Sequence, residues 1–466
     1  MKQRGVIAFF CIAIISVAYI VFSSANFEKV PPSAELFLVK DGGNHALLSL
    51  FNPSNDLRLR AFDSGGLSSY SLRIARPNGE VLLSKDEIFV RRQEVLDLVL
   101  PRPPYMAANL KNGDEIIYTV TVRDWSNANF FRGNETTLKK KLVINTLKPS
   151  AKVIATSRDL VHGGSALVAF KIEDLPAYKA GGIYKAFVRS GKQEFIAYPY
   201  KNKRGETIYL CLLAWGLDTG FFEGEIHLLD EALNEGILKL PLEASASSLR
   251  KHIPSVNISF DSNALASTME WLDSVRLLPK EAMKDSPPSF ESIQSEDNKK
   301  ISSMLRRMDY KAPSVSLFAP LGALCGAVLP GGFGSEINLK YQKEGLGKLE
   351  RLGVDIACKA GSSIKASNDA AIGFSGRMAA YGNVVLLNHA LGLSTAYGYL
   401  EEADSNAGRV VERGEAFARS GSSGIALENR LHVMVLVQGR FVNPKEWMSS
   451  EWVEANINSV LRLSGF

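Results

Sequence analysis

Arg351-Leu352-Gly353-Val354-Asp355 is the most informative segment of this 466-residue chain. Two later segments belong with it, Tyr397-Gly398-Tyr399-Leu400 and Arg430-Leu431-His432. Among the polar side chains of these segments, Asp355 and His432 can bind a metal ion. A guanidinium is always protonated and offers only hydrogen-bond donors, so the arginines cannot bind one. The three segments therefore hold two side chains that can bind a metal ion.

Further segments surround these three in a fixed order. They are residues 332–334, 352–357, 381–385, 388–389, 410–415, 420–424 and 441–447. Together, from about residue 317 to 447, they resemble the lysostaphin/LytM-type zinc endopeptidases, which cut peptide cross-links in bacterial peptidoglycan. The active-site pattern of that family is HxGxD, YxHL and HLH, and this chain has RLGVD, YGYL and RLH in those places.

The resemblance implies a zinc site that has lost most of its histidines. The three ligand positions correspond to Arg351, Asp355 and His432, and the two positions that assist catalysis correspond to Tyr399 and Arg430. Three of these five positions carry a residue that the family does not use. We therefore predict vestigial metal positions at Asp355 and His432, no catalytic residues, and no cofactor. Zinc is expected only if the domain is a divergent active enzyme.

Arg351 lies four residues before Asp355, and a buried carboxylate needs a partner. We predict that the two side chains form an ion pair in place of the zinc. The simplest interpretation of Asp355 and His432 is that they are scaffold residues, and residual metal binding is the alternative. Cys358 could in principle replace a ligand, but its odd spacing from Asp355 along a strand directs it to the opposite face.

The composition is that of an ordinary globular protein of about three domains, with 46% hydrophobic and 22% charged residues. The net charge of +5 is small, so attraction to an anionic wall polymer is weakly supported. Lys2 and Arg4 precede an apolar run from Gly5 to Phe22, which predicts a retained single-pass anchor over residues 1–25 with the body exported. Cleavage after the small residues 23–25 is the alternative.

Four cysteines show no metal-binding spacing. Cys325 and Cys358 both fall in the C-terminal domain and could form a disulfide in an oxidising compartment, although buried free thiols fit equally well. The sequence leaves both possibilities open.

The predicted fold is mainly β. Short runs of β-forming residues bounded by turns predict β-sandwich modules at residues 30–147 and 148–250, and these resemble the immunoglobulin-like modules of membrane-anchored relatives. A polar helical connector is predicted at 251–312, the LytM-type antiparallel domain at 313–450, and a C-terminal helix packed on that domain at 451–466. No nucleotide-binding loop or nucleic-acid pattern is present in the sequence.

These observations predict an exported peptidoglycan protein with a degenerate, non-catalytic LytM-like domain. Its groove would be lined by Arg351, Asp355, Tyr399, Arg430 and His432. Arginine guanidinium groups beside a tyrosine ring suit carboxylate ligands. The expected partners are therefore peptidoglycan stem peptides or an exported wall hydrolase. The alternative is an active zinc endopeptidase that cleaves cross-links, and a third hypothesis makes the sandwiches the functional part. A groove whose arginines are consumed by internal carboxylates would bind nothing.

Overall fold

The computed structural model describes residues 14–16, 19, 28–40, 42–173, 183–244, 255–275, 289–307, 314–322, 324–404 and 406–466. Within these ranges, no helix combines the length and the apolar composition that a membrane span requires. The anchor predicted for residues 1–25 lies outside the described residues except at 14–16 and 19. It therefore stays a prediction.

Twenty-eight strands are described, which agrees with the predicted, mainly β class. In chain order, β1 to β28 are Ser33–Lys40, Gly43–Ala46, Leu50–Phe51, Asp56–Ala75, Val81–Val99, Glu115–Asp124, Glu135–Ile144, Ala151–Thr156, Ser165–Ile172, Ile183–Ser190, Gln193–Ile196, Tyr198–Lys201, Thr207–Ala214, Glu225–Asp230, Glu235–Lys239, Ser255–Phe260, Gly326–Val328, Glu336–Tyr341, Glu344–Glu350, Val354–Cys358, Ser363–Lys365, Ala370–Met378, Gly382–Asn388, Leu393–Ala403, Val410–Val411, Ala416–Ser420, Arg430–Val437 and Arg440–Val442.

The described helices are few and mostly short. In chain order, α1 to α6 are Ala128–Phe131, Ser262–Ser274, Phe290–Arg307, Pro444–Met448, Ser450–Val453 and Ser459–Leu463, and a π-helical turn, Glu454–Asn458, joins the last two. The chain divides into two compact units. The first comprises residues 1–150, 174–185 and 228–236, and the second comprises 151–173, 186–227 and 237–466.

The first unit is built on one seven-stranded sheet, in the order β2-β1-β4-β6-β7-β3 with β5 beside β4. Strands β4 and β6 alternate buried residues with more exposed ones, as an antiparallel sheet with one covered face does. The buried side chains of β4 and β6, among them Leu59, Leu72, Tyr118 and Val120, form its core. The region consists of strands, as the sequence predicts, whereas the immunoglobulin-like assignment stays a prediction.

The second β region consists of two four-stranded sheets, β11-β10-β14-β15 and β12-β13-β9-β8. Strand β9 is almost wholly buried and β13 is largely so, as central strands covered on both faces are. Residues 151–173 and 186–227 of this region belong to the same compact unit as the C-terminal domain. The sequence suggested a separate module at 148–250.

The C-terminal domain is a ten-stranded sheet in the order β17-β20-β27-β24-β23-β22-β25, with β21, β26 and β28 attached along it. Its pairings are antiparallel, as the LytM-type resemblance implies. Strand β20 contains Asp355, β24 contains Tyr399, and β27 contains Arg430 and His432. The central order β20-β27-β24 places the three motif segments on adjacent strands.

The connector predicted as helical begins with a strand instead. Strand β16 pairs in parallel with β18, and β18 pairs with β19, so the connector contributes one strand to a three-stranded sheet. The alternation of Val256, Ile258 and Phe260 fits this strand, but its partner is about 80 residues away and local patterns do not reveal it. Helices α2 and α3 are the two that the sequence predicts.

The C-terminal helical segment also differs from the expectation in what it contacts. It is helical as predicted, but it packs on strands β8 and β9 of the second β region. The Ser157 hydroxyl donates to the carbonyl oxygen of Asn456 at 2.7 Å, and the Asn456 side chain accepts from the backbone N–H of Arg158 at 3.1 Å. On its other side, the Asn458 amide bonds the backbone of Phe318. The segment therefore ties the second β region to the C-terminal domain.

Candidate functional site

The site lies where three adjacent strands of the C-terminal sheet bring their side chains together. His432 on β27 stands directly opposite Asp355 on β20, and opposite Gly398 on β24 on its other side. Because side chains of directly opposite residues lie on the same face of a sheet, Asp355 and His432 meet.

Asp355 is the centre of the site and is 5% exposed. Its Oδ1 lies 2.6 Å from Nδ1 of His432, and its Oδ2 lies 3.3 Å from a guanidinium nitrogen of Arg351 and 3.8 Å from one of Arg430. Burial acts to raise the pKa of Asp355, but the hydrogen bond from His432 and the charges of His432, Arg351 and Arg430 outweigh it and hold the pKa below its ordinary value. Asp355 is therefore ionised, and Nδ1 of His432 is the hydrogen-bond donor.

The Arg351 side chain is buried, and part of its surroundings comes from residues that are not its neighbours in the sequence. One of its terminal nitrogens donates to the carbonyl oxygen of Pro330 at 2.8 Å, and another faces Asp355. A Cβ on Gly331 would lie 2.1 Å from the guanidinium, and Gly331 has φ +95°, so this position needs glycine for two reasons. The ion pair predicted between Arg351 and Asp355 is thus present.

The ring of His432 is fixed between two tyrosines. Tyr381 stacks on it with ring centroids 5.3 Å apart, and the Tyr399 ring lies 5.5 Å away in a tilted arrangement. A Cβ on Gly353 would lie 2.7 Å from Nε2 of His432, so the glycine of the RLGVD segment makes room for this ring. Nε2 is buried and has no hydrogen-bond partner among the described residues.

Tyr399 stands in an unfavourable backbone conformation, with φ +63°. Its N–H donates to the carbonyl oxygen of Tyr381 at 2.7 Å. Left-handed conformations of bulky residues cost of order 1 kcal/mol and are found at functional positions. Burial, with a smaller contribution from Asp355, raises the pKa of the Tyr399 phenol, so the phenol is no base at neutral pH.

The second arginine is engaged on both sides. Arg430 donates to Glu428 at 2.9 Å while facing Asp355 at 3.8 Å. Four of the five predicted groove residues are less than a tenth exposed, and the side chain of Arg430 is 11% exposed. The residues assigned to a binding groove therefore form a closed internal cluster.

Helix α3 helps to close the site, and the sequence did not assign it this role. Gln294 exchanges hydrogen bonds with the backbone of Glu350, the residue before Arg351. Asn298 accepts a bond from the Tyr381 hydroxyl at 2.7 Å. Asp297 accepts from the N–H of Ala380 at 2.7 Å. The helix therefore fixes the residue before the RLGVD segment. It also fixes the loop that carries Tyr381, whose ring stacks on His432.

One cavity of this unit lies beside the cluster. A cavity of about 590 Å³ is lined by Phe333 and Leu352 at its apolar wall and by Asp218, Lys299 and Arg440 among its polar groups. Its size is that of a ligand pocket. Leu352 follows Arg351 directly, so the cavity adjoins the cluster around Asp355.

Comparison with known proteins identifies a family for this part of the chain. The sequence profile of Peptidase family M23 matches residues 350–444. The C-terminal domain is a peptidase M23 domain. Its lysostaphin/LytM-type resemblance is thereby confirmed.

Curated relatives match this part of the chain. The DD-carboxypeptidase/endopeptidase Mpg of Neisseria meningitidis serogroup B is 39% identical over 92 residues, which are 20% of this chain and 21% of Mpg. The murein hydrolase activator EnvC of Escherichia coli K12 is 31% identical over 109 residues, 23% of this chain and 26% of EnvC. The catalytic domain of lysostaphin from Staphylococcus simulans aligns with 21% of this chain and 79% of its own, at 24% identity and a TM-score of 0.21. The chain spans about a fifth to a quarter of the length of the curated relatives.

The donor set of the M23 domain does not fit a catalytic zinc. Such a site takes three protein ligands and a water, and here the third ligand position holds the Arg351 guanidinium. Both oxygens of Asp355 and Nδ1 of His432 are already engaged with each other and with Arg351. Cys358 is no substitute ligand, because it forms a disulfide with Cys325. The chemistry that remains is that of a buried ion-pair cluster.

Proposed function

We propose that this chain is an exported wall protein whose M23 domain does not hydrolyse peptides and acts by binding. One observation carries the proposal: the Arg351 guanidinium, at the position that the family resemblance assigns to a zinc ligand, is paired with Asp355 at 3.3 Å. A cation bound at this place would meet another fixed positive charge. The Arg351 guanidinium therefore supplies positive charge beside Asp355 in place of a metal ion.

Catalysis would need more than the missing metal. Hydrolysis requires an activated water and a base near neutral pH. The two assisting positions hold Tyr399, whose pKa is raised by burial, and Arg430, which is always protonated. No residue at these two positions can take a proton from water at pH 7.

The ligand we propose is an acidic segment of a wall hydrolase. The match to the hydrolase activator EnvC supports a protein partner. Because Arg351 and Arg430 are engaged with buried Asp355, the contacts shift to the neighbouring cavity, where Lys299 and Arg440 supply positive charge beside the apolar Phe333 and Leu352. Arg440 lies 4.0 Å from the exposed Asp218, which also lines the cavity. Peptidoglycan stem peptides carry the same carboxylate chemistry and are the second candidate ligand.

Export is supported by two features. The apolar run at residues 5–22, preceded by Lys2 and Arg4, directs the following chain outward. Cys325 and Cys358 form a disulfide, and such bonds persist mainly in oxidising compartments. We therefore place the body of the protein in the periplasm or cell-wall space, attached by its N-terminal segment.

The competing function is a divergent, active zinc endopeptidase. The 39% identity to Mpg over 92 residues favours it. The two functions differ in a direct assay: the full-length protein is incubated with purified sacculi, with and without a chelator, and released muropeptides are measured. We expect no release, and chelator-sensitive release would contradict the proposal.

The ligand is tested with two double variants of the full-length protein. Lys299→Ala with Arg440→Ala alters the cavity, and Arg430→Ala with Tyr399→Ala alters the internal cluster. Lys348→Ala removes an exposed cation paired with Glu336 and serves as the matched control. We expect the cavity variant alone to lose a co-purifying wall hydrolase while still sedimenting with sacculi. Loss of sedimentation would identify the wall as the ligand, and no change in either assay would contradict binding at this cavity.

A further inference from the structure

Strand β5 leaves a long edge of the first sheet free. It runs from Val81 to Val99 and pairs with β4, and no other strand in the described part of the chain pairs with it. An edge strand presents unpaired N–H and C=O groups that can pair with another chain. Natural proteins keep such edges apart with bulges and repelling charges, so the side chains of β5 decide whether this edge is protected.

The middle of β5 exposes apolar side chains on one face. Ile88 is 79% exposed and Val90 is 95% exposed. Phe89, between them, turns to the other face and packs against Tyr70 with ring centroids 6.2 Å apart. The pairing with β4 is interrupted here, since Ser69 is opposite Ile88 and the next paired residue of β5 is Gln93. Residues 89–92 therefore have no register partner on β4.

The charges of β5 are ordered around Phe89. Asp86 and Glu87 precede it, Arg91 and Arg92 follow it, and all four are exposed. Glu87 forms an exposed ion pair with Lys85 at 3.0 Å. Asp86, Arg91 and Arg92 form no ion pair with another described residue. A strand with acids on one side of its midpoint and arginines on the other is complementary to an antiparallel copy of itself.

We propose that a second copy of this chain adds its β5 to this edge, antiparallel and centred on Phe89. Phe89 would then face Phe89 of the second copy in a single contact on the axis. Ile88 opposite Val90, Glu87 opposite Arg91, and Asp86 opposite Arg92 would each occur twice. Directly opposite side chains share a face, so the apolar pairs and the ion pairs reinforce the same alignment. A two-fold axis makes the interface self-complementary.

The charges select this register over its neighbours. Moving the centre to Val90 would place Asp86 opposite Glu94, and moving it to Ile88 would place Lys85 opposite Arg91. Both shifts bring like charges together and break the apolar pairs, which destabilises the pairing. The centre at Phe89 satisfies both acid and arginine pairs at once. The edge is thus charged in a way that attracts a copy of itself.

The test uses two single variants, Asp86→Arg and Arg92→Asp, in the full-length protein in density-matched detergent, measured by sedimentation equilibrium. The wild-type chain is expected to dimerise. Each variant alone places like charges opposite each other twice, so its dimer dissociation constant should rise about tenfold to a hundredfold. An equimolar mixture of the two variants places opposite charges together again and should recover the wild-type constant. A wild-type monomer, or dimers that respond equally in the single variants and in the mixture, would overturn the proposal.

A second measurement fixes the register and does not depend on charge. Ile88→Cys and Val90→Cys are prepared separately, mixed and oxidised, with the wild-type chain as the control for native cysteines. We expect covalent dimers in the mixture and little in either variant alone, because residue 88 faces residue 90 of the second copy. Cross-linking that is equal in all three samples would contradict this register. Neither experiment involves the M23 domain, so its outcome is independent of the function proposed above.

Discussion

Asp355 and His432 stand directly opposite each other on neighbouring strands, with Oδ1 of Asp355 2.6 Å from Nδ1 of His432. In the M23 family these two positions bind zinc side by side. Here they bind each other, and Arg351 takes the remaining oxygen of Asp355. The positive charge beside Asp355 is supplied by the chain itself.

Replacing Arg351 by alanine should destabilise the M23 domain. The variant leaves a buried carboxylate with a weaker set of partners, and we expect a loss of about 2–4 kcal/mol in the free energy of unfolding. Urea unfolding of the full-length protein, followed by tryptophan fluorescence, measures it. Lys348→Ala removes an exposed ion pair and should cost under about 1 kcal/mol. Equal small effects in both variants would show that the Arg351 pair contributes nothing.

Acid should weaken the domain through Asp355. The folded-state pKa of Asp355 is below its ordinary value, so its stabilisation is present above the unfolded pKa of about 3.9 and is lost as the pH falls through the folded pKa. Asp355→Asn should be less stable than wild type at pH 7, and the difference should shrink below about pH 4. A difference that is constant from pH 7 to pH 3 would contradict the ionised cluster.

Glu446 should have the opposite pH dependence. Burial raises its pKa to about 8, although the N–H and hydroxyl of Ser165 both donate to it. Because the folded protein then holds a proton that the unfolded chain releases, stability should fall as the pH rises from about 4.5 to 8. Glu446→Gln should flatten this part of the profile in thermal unfolding. An unchanged slope would show that Glu446 is not protonated in the folded state.

The Cys325–Cys358 disulfide should stabilise the M23 domain. It closes a loop of 33 residues, and loops of this size are worth about 2–4 kcal/mol. A reductant should lower the unfolding midpoint of the wild-type protein and leave that of a Cys325→Ser, Cys358→Ser double variant unchanged. A wild-type midpoint that ignores the reductant would mean that the two thiols are not joined.

The core of the site was predictable because its residues follow short, ordered motifs. Arg351 and Asp355 are close in sequence, and a buried carboxylate beside a guanidinium has few other options, so their pairing was foreseen. The burial of the cluster was not predictable from these motifs. The motif segments specify which strands meet, but they carry no information about what covers them.

The covering elements come from distant parts of the chain. Helix α3 reaches the site through Gln294 and Asn298, whose partners lie 56 and 83 residues away. Strand β16 was missed for the same reason, since its parallel partner β18 is remote and the flanking sequence is helical. At the other end of the domain, Trp447 also contacts a distant part of the chain. Its indole N–H donates to the hydroxyl of Ser165 in the second β region.

The zinc content of the purified full-length protein tests the central claim most directly. The donor set of Asp355 and His432 predicts well under one tightly bound zinc per chain by elemental analysis after dialysis. Arg351→His supplies the third ligand and is the matched control, with zinc expected to rise towards one per chain. One tightly bound zinc per wild-type chain would contradict the account.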